Sequence, residues 1–268
     1  MPEGDVVWYT ARRLHEALAG RVLTRSDFRV PRFATVSLAG QLVTEAIPRG
    51  KHLLIRTGNG LTVHTHLKME GAWRIRPAGT RVTESHKIRL LLANAEWQAV
   101  GYQLGITEVL RTAHEDRVVG HLGPDLLDPD WDGEHLREAV RRLTADPARP
   151  IGEALLDQRC VAGIGNLYKS EVLFLRGISP WRAIGGVPEQ DLEPLVLLAR
   201  RLLDANKARI GQVTTGLADG PGQGKGGSTW VYGRRGAPCR RCGIPVRKRN
   251  DGGERVTFWC TSCQPAWP

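Results

Sequence analysis

Residues 239–263 read CRRCGIPVRKRNDGGERVTFWCTSC: two Cys-x2-Cys pairs separated by seventeen residues. Each pair, Cys239 with Cys242 and Cys260 with Cys263, offers two sulfurs at the spacing of a zinc knuckle, and a tetrahedral ion closes the set. Polar turn residues stand where knuckles and connecting turn must form: Arg240-Arg241, Thr261-Ser262 and Asn250-Asp251-Gly252-Gly253. Two disulfides are the competing reading. They require an oxidising compartment, whereas cytosolic thiols stay reduced and the sequence carries no export signal. The pattern therefore predicts a zinc β-hairpin with one structural Zn2+ per chain, since four thiolates leave no open coordination position. Around it cluster Arg234, Arg235, Arg240, Arg241, Arg247, Lys248, Arg249 and Arg255. A metal-stapled hairpin needs little core, so it can present such charge to phosphates.

The rest of the chain repeats that bias. Across 268 residues, 38 Lys and Arg against 28 Asp and Glu leave a net charge of +10. Such a surplus favours a polyanionic partner, nucleic acid ahead of an anionic membrane surface. No apolar run approaches the roughly 18–20 residues that span a bilayer, and Glu3, Asp5, Arg12, Arg13 and Glu16 interrupt any signal-peptide core. The expectation is a cytoplasmic, monomeric protein with no membrane association. The remaining cysteine, Cys160, lies among Ala154, Leu155, Leu156 and Val161 and reads as a small core residue with no chemistry of its own.

Upstream of the zinc segment, the apolar spacing changes character once. Residues 3–19 predict an amphipathic helix, with Val7, Leu14 and Leu18 on one face and Gly20 as its stop. Gln41–Ile47, His52–Thr57, Leu61–Met69, Lys87–Leu92 and Glu96–Tyr102 follow as short runs divided by Gly, Pro and Asn, the pattern of a β-sandwich. Leu61–Met69 alternates, with Leu61, Val63, Thr65, Leu67 and Met69 on one side and Thr62, His64, His66 and Lys68 on the other. Beyond Gly123-Pro124-Asp125 the periodicity turns helical: a helix around Leu136, Val140 and Leu143, helices over Ile151–Val161 and Leu167–Leu175, and another around Leu192–Leu203. Residues 219–228 (DGPGQGKGGS) form a low-complexity loop. The expected architecture is α+β and multidomain: helix plus β-sandwich over 1–128, a helical domain over 129–229 and the zinc finger over 230–268. No P-loop or dinucleotide fingerprint is present.

The chain opens Met1-Pro2-Glu3-Gly4. Removal of Met1 would expose Pro2 as a secondary amine. An α-amine titrates at about 7.7–8.0, so a fraction is nucleophilic near neutrality. Glu3 is the adjacent carboxyl that can exchange a proton with a reacting group. Many chains start this way, so the opening gains weight only with three further features. Pro48-Arg49-Gly50-Lys51 places Lys51 at a turn-to-strand junction. Gly163-Ile164-Gly165-Asn166 opens a helix whose first-turn N–H groups suit a phosphate. Arg255 stands shortly before the second cysteine pair.

Together these motifs, in this order, resemble the formamidopyrimidine-DNA glycosylase and endonuclease VIII family of bacterial base-excision repair enzymes. The resemblance implies a helix–two-turn–helix in the helical domain, and duplex DNA with oxidised bases or abasic sites as partner. It implies that Pro2 is the Schiff-base nucleophile, Glu3 its acid, Lys51 a phosphate contact that assists β-elimination, and Arg255 the zinc-finger arginine of δ-elimination. Asn166 matches the asparagine that holds the DNA backbone. A base must leave the stack before it reacts, and the family plugs the gap from the turn reading here His66-Leu67-Lys68-Met69-Glu70-Gly71. Met69 is then an apolar wedge with Lys68 beside it. The alternative is that Met69 simply continues the inward face of its strand.

Two positions depart from the family pattern: Val6 stands where glutamate is frequent, and His121 where an arginine contacts DNA. His121 can still bind a phosphate, with pH-dependent strength. Met-Pro-Glu-Gly resembles the endonuclease VIII opening, which implies oxidised pyrimidines as substrates. A non-catalytic zinc-finger DNA-binding protein on the same scaffold is the alternative. An RNA-binding accessory protein would leave Pro2, Glu3 and Lys51 unexplained.

Overall fold

The computed structural model describes residues 2–209, 211–215, 228–250 and 255–265. The chain divides into two compact units, Met1–His121 and Leu122–Pro268. Most of the low-complexity loop 219–228 and the tip of the zinc hairpin at 251–254 lie outside the described residues.

The first unit begins with α1 (Gly4–Leu18), entered from extended backbone at Glu3 and carrying Asp5 in its first turn, where a carboxylate meets the positive helix end. Val7, Ala11, Leu14, Ala17 and Leu18 are at most 4% exposed, one stripe at helical spacing. Gly20, at φ +74°, turns the chain out of the helix. Two antiparallel four-stranded sheets follow. One orders β1 (Arg25–Phe28), β6 (Ile88–Ala93), β7 (Trp97–Tyr102) and β5 (Ala72–Pro77). The other orders β2 (Val43–Arg49), β3 (His52–Thr57), β4 (Leu61–His66) and β8 (Ile106–Arg111). Leu53, Ile55 and Val63 of the second sheet, Leu90, Leu92 and Ala99 of the first, and the apolar stripe of α1 form one core cluster. Each fully buried leucine here is worth about 1.5–3 kcal/mol of transfer free energy. This is the expected helix plus β-sandwich. The expected strand Leu61–Met69 ends earlier, at His66, because Lys68 takes a left-handed turn at φ +54°. Strands β1, β5 and β8 complete the sheets. Polar and charged residues on them mask the alternation.

The second unit contains α3 (Gly133–Leu143), α4 (Ile151–Ala154), α5 (Asn166–Arg176) and α6 (Glu189–Asn206), with the short α2 (Asp116–Val119) preceding it in the first unit. Asp132 caps α3, its side chain accepting from Glu134 N at 2.9 Å and His135 N at 3.0 Å. The expected helix Ile151–Val161 stops at Ala154. Beyond it, Asp157 bonds Arg159 N at 3.0 Å, and Gln158 donates to the Leu156 and Ile164 carbonyls and accepts from Gly163 N. Those side chains compete with the helix for its backbone partners. Cys160 is therefore not helical, although it is buried as expected, with its thiol pushed up by burial. Helix α5 ends at Gly177, φ +68°, where Ile178 N reaches back to Leu173 O. The antiparallel hairpin β9 (Arg247–Asn250) and β10 (Val256–Trp259) closes the unit, with β10 against α5. No helix among the described residues is long and apolar enough to cross a membrane.

Candidate active site and nucleic-acid interface

In the first unit the reactive groups gather at the start of α1. Pro2 is partly exposed, whereas Glu3 is fully buried and Asp5 is 2% exposed. Gly50, at φ +55°, makes the turn that delivers Lys51 to the start of β3. Burial pushes the Lys51 ammonium below the ordinary lysine range. Glu3 and Asp5 pull it back up, and Lys68 adds repulsion. Two carboxylates and two lysines thus share one electrostatic neighbourhood beside Pro2. Glu3 and Lys51, expected from the sequence to act together, share this field with Asp5, whose place in the first turn of the same helix was legible though not singled out.

The loop after β4 carries Lys68 and Met69. Met69 is 43% exposed, so it does not continue the inward face, which ends at Leu67 (2% exposed). Gly71 N bonds Leu67 O at 2.9 Å, and a Cβ at Gly71 would overlap the Leu67 backbone. A Cβ at Gly105 would overlap the Lys68 side chain. Gln103, itself at φ +46°, donates from Nε2 to Glu70 Oε2 at 2.5 Å. The tip is therefore a tight turn braced by a second turn, with an apolar thioether standing out from it. His121 is exposed and edge-on to His52, ring centroids 6.2 Å apart. Val6 is half-buried against the core.

In the second unit, Asn166 is the first residue of α5 and 3% exposed. One turn on, the buried Lys169 reaches Asn166 Oδ1 at 3.5 Å, the Val256 carbonyl at 3.0 Å and Thr257 Oγ1 at 2.8 Å. Arg255, exposed, precedes that anchor by one residue and lines a small cleft with Lys169, Trp181 and Thr257. The structure thus brings Asn166 and Arg255 to one edge of this unit through Lys169, which the sequence reading missed. The available signal was the polar run Lys169-Ser170-Glu171 standing between Leu167-Tyr168 and Val172-Leu173-Phe174.

The zinc segment is joined to α5 by a buried carboxylate. Glu171 accepts from Trp230 N at 2.8 Å, Val231 N at 2.9 Å, Tyr232 N at 2.8 Å and the Thr214 hydroxyl. Arg241 of the first knuckle donates to the Phe174 and Leu175 carbonyls and lies 4.6 Å from the Phe174 ring centroid. Cys239, Cys242, Cys260 and Cys263 place their sulfurs within 4.8 Å of one another. The Cys239–Cys263 and Cys242–Cys260 separations are 3.9 and 3.4 Å. Sulfurs at ~2.3 Å from a tetrahedral zinc stand about 3.8 Å apart, so the set fits the ion. The Ile244 N–H holds the Cys242 thiol down to about 7, and Arg241 N donates to Cys239 Sγ at 3.4 Å. N–H donors aimed at sulfur suit thiolates. Four cysteines fill the coordination sphere, so the ion they would hold is structural. The hairpin presents Arg247, Lys248 and Arg249 on a fully exposed β9, and Arg249 stacks 5.0 Å from the Trp181 ring.

Both units are similar to known proteins. Residues 1–103 match the formamidopyrimidine-DNA glycosylase N-terminal domain, and residues 122–215 its H2TH domain. A probable endonuclease 8 2 of Streptomyces coelicolor is 54% identical over 269 residues, covering 98% of this chain and 94% of that protein. The DNA-(apurinic or apyrimidinic site) lyase Nei2 of Mycolicibacterium smegmatis is 48% identical, covering 99% of this chain and 100% of its own length. Among solved structures, Lactococcus lactis Fpg (MutM) bound to DNA containing N7-benzyl-Fapy-dG shares the fold. Its TM-score is 0.81 at 24% identity, covering 99% of this chain and all of that one.

Proposed function

This chain belongs to the formamidopyrimidine-DNA glycosylase and endonuclease VIII family, and on that premise we propose that it is a bifunctional DNA glycosylase and AP lyase. It excises oxidised bases, pyrimidines foremost, from duplex DNA of the bacterial nucleoid, as a monomer. Similarity to an endonuclease 8 and to an AP lyase at 54% and 48% identity supports both activities, and the basic surplus of +10 supports the partner.

The observation that carries the mechanism is the buried Glu3 beside Pro2, with the desolvated Lys51 in its field. With Met1 removed, the Pro2 nitrogen attacks C1′ of the lesion nucleotide. Glu3 supplies a proton as the glycosidic bond breaks, takes one back from the Pro2 nitrogen, and passes it to O4′ as the C1′–O4′ bond breaks; the ring-opened product is an iminium at C1′. The iminium is an electron sink: loss of a C2′ proton gives an enamine, which expels the 3′-phosphate. Lys51 and Asn166 each hold a phosphate of the DNA backbone. Arg255 stabilises the second, δ-elimination that releases the sugar remnant. Met69 enters the stack vacated by the flipped nucleotide, Lys68 neutralises backbone charge beside it, and His121 takes the phosphate contact usually made by arginine. Cys239, Cys242, Cys260 and Cys263 would hold a zinc ion that fixes the hairpin carrying Arg255.

Borohydride reduction during reaction with an abasic-site duplex, and with duplexes carrying oxidised pyrimidines or purines, tests this reading. It predicts a covalent protein–DNA adduct, β,δ-cleaved strands and faster turnover of oxidised pyrimidines. A blocked N-terminus should abolish the adduct. DNA binding with neither adduct nor cleavage would refute it and leave a non-catalytic clamp.

A further inference from the structure

On the face of the second sheet turned away from the core, three side chains from three strands form a continuous hydrogen-bonded chain. Glu108 of β8 is the register partner of His64 on β4, and Glu108 Oε1 lies 2.7 Å from His64 Nδ1. His64 Nε2 lies 2.7 Å from Nδ1 of His52 on β3. His64 is 1% exposed, and its ring lies edge to edge with His52, the planes 22° apart and the centroids 5.0 Å apart. Among the described residues His52 Nε2 makes no hydrogen bond. His52 follows Lys51 in the chain, and Lys68 lies close enough to act on both.

For a neutral His64, the chemistry of the donors sets the tautomers. A carboxylate only accepts, so His64 Nδ1 carries hydrogen. Neutral His64 then presents a bare Nε2, which accepts from His52 Nδ1–H, and His52 is left with a lone pair on Nε2. That tautomer offers an anion nothing, whereas a proton donor finds a base. We propose that Glu108, His64 and His52 are a proton relay for strand cleavage, with His52 Nε2 receiving the proton that leaves C2′ of the Schiff-base intermediate. This step rests on the lyase activity proposed above.

The electrons and protons balance without a further reactant. The C2′–H bond breaks, its pair forms the C1′=C2′ bond and neutralises the iminium nitrogen, and a hydrogen bonds to His52 Nε2. His52 Nδ1–H then passes to His64 Nε2. The positive charge ends on His64 beside the Glu108 carboxylate, and His52 returns to neutrality. Elsewhere in the cluster a charge is unwelcome. Burial pushes His52 down to about 3, and His66, His64, His121 and Lys68 all repel a cation there. The relay moves the charge from the surroundings that oppose it to the one carboxylate in the chain. His52 is thus the catalytic group, while His64 and Glu108 are positioning residues that act through it.

Single-turnover reaction with an abasic-site duplex, reading borohydride-trapped adduct and cleaved strand separately, tests the relay. His52→Gln, His64→Gln and Glu108→Gln should each slow cleavage by roughly 10²-fold, the low end of general-base contributions. The trapped adduct should persist and accumulate. Glu108→Gln keeps an acceptor for His64 but removes the charge, and should move the acidic limb of the cleavage profile to lower pH. Cleavage at the wild-type rate in all three variants, or adduct and cleavage falling in equal measure, would overturn the relay. Nitrogen-15 spectra of the histidine-labelled, DNA-free protein give a check independent of the variants' folding. They should show His52 as the Nδ1–H tautomer at neutral pH, and an Nε2–H tautomer would overturn the assignment. Failure of the wild-type chain to form any adduct would overturn the lyase reading and this step with it.

Discussion

Lys169 Nζ on α5 lies 2.8 Å from Thr257 Oγ1 on β10, so a buried cation ties the first turn of the helical motif to the zinc hairpin. The same Nζ meets the Val256 carbonyl at 3.0 Å and Asn166 Oδ1 at 3.5 Å. Asn166 and Arg255, expected to hold one DNA backbone, are positioned through a single side chain.

Lys169→Met should therefore do more than loosen a core. Hydrogen bonds to a charged group are worth about 1.5–3 kcal/mol, and the methionine leaves two hairpin acceptors without their donor. Urea unfolding should show a loss of that size. DNA titration should show weaker binding at unchanged zinc content. Full DNA affinity in a destabilised variant would separate the anchor from the interface.

Metal removal acts on the same hairpin from its other end. Metal analysis should return one zinc per chain, and chelation or Cys260→Ser should abolish it. DNA binding should weaken as the hairpin loses its staple, while the β-sandwich of the first unit keeps its secondary structure by circular dichroism. Undiminished binding after complete zinc loss would show that Glu171, Lys169 and Arg241 hold the segment without the metal.

Met69 stands 43% exposed on a braced turn. Met69→Ala should change stability by no more than about 0.5 kcal/mol, as a surface substitution, yet slow excision from duplexes containing a paired lesion. A pre-formed abasic site demands less extrusion, so cleavage there should suffer less. Equal loss on both substrates would remove the wedge role.

The histidine cluster gives the first unit a signed pH dependence. His66 Nδ1 accepts from Lys68 N at 2.9 Å, a bond that a protonated ring cannot make. Burial first, then Lys68, Lys51 and His64, hold His66 down to about 4 from an ordinary 6.5. The unfolded chain binds the proton more readily, so this contribution is complete above about 6.5 and is lost as pH falls towards 4. Thermal melts between pH 7 and 4 should show the decline, and His66→Gln should flatten it. An equally steep profile in the variant would place the titration elsewhere.

The legible parts of this molecule were those in which local chemistry repeats or punctuates. Four cysteines announced the hairpin, and Val7, Leu14 and Leu18 announced α1. The β3 run, His52–Thr57, coincides with the observed strand. Strand β5 was hidden because Arg74 and Arg76 interrupt any apolar run, and β8 because Thr107 and Glu108 do the same. Residues 155–161 look helical by composition, yet Asp157 and Gln158 divert the backbone. At the site, residues adjacent in sequence (Pro2 and Glu3, Lys68 and Met69) could be read directly. Lys169, Glu171 and the His52–His64–Glu108 chain could not be paired with their partners, which lie 12 to 88 residues away and are brought together only by strand register or helix packing.

The central claim is a covalent bond to the Pro2 nitrogen. Peptide mapping by mass spectrometry of the borohydride-reduced adduct tests it most directly. The sugar remnant is expected on an N-terminal peptide beginning at Pro2, with Met1 absent. A remnant on Lys51 or any other side chain, with Pro2 unmodified, would contradict it.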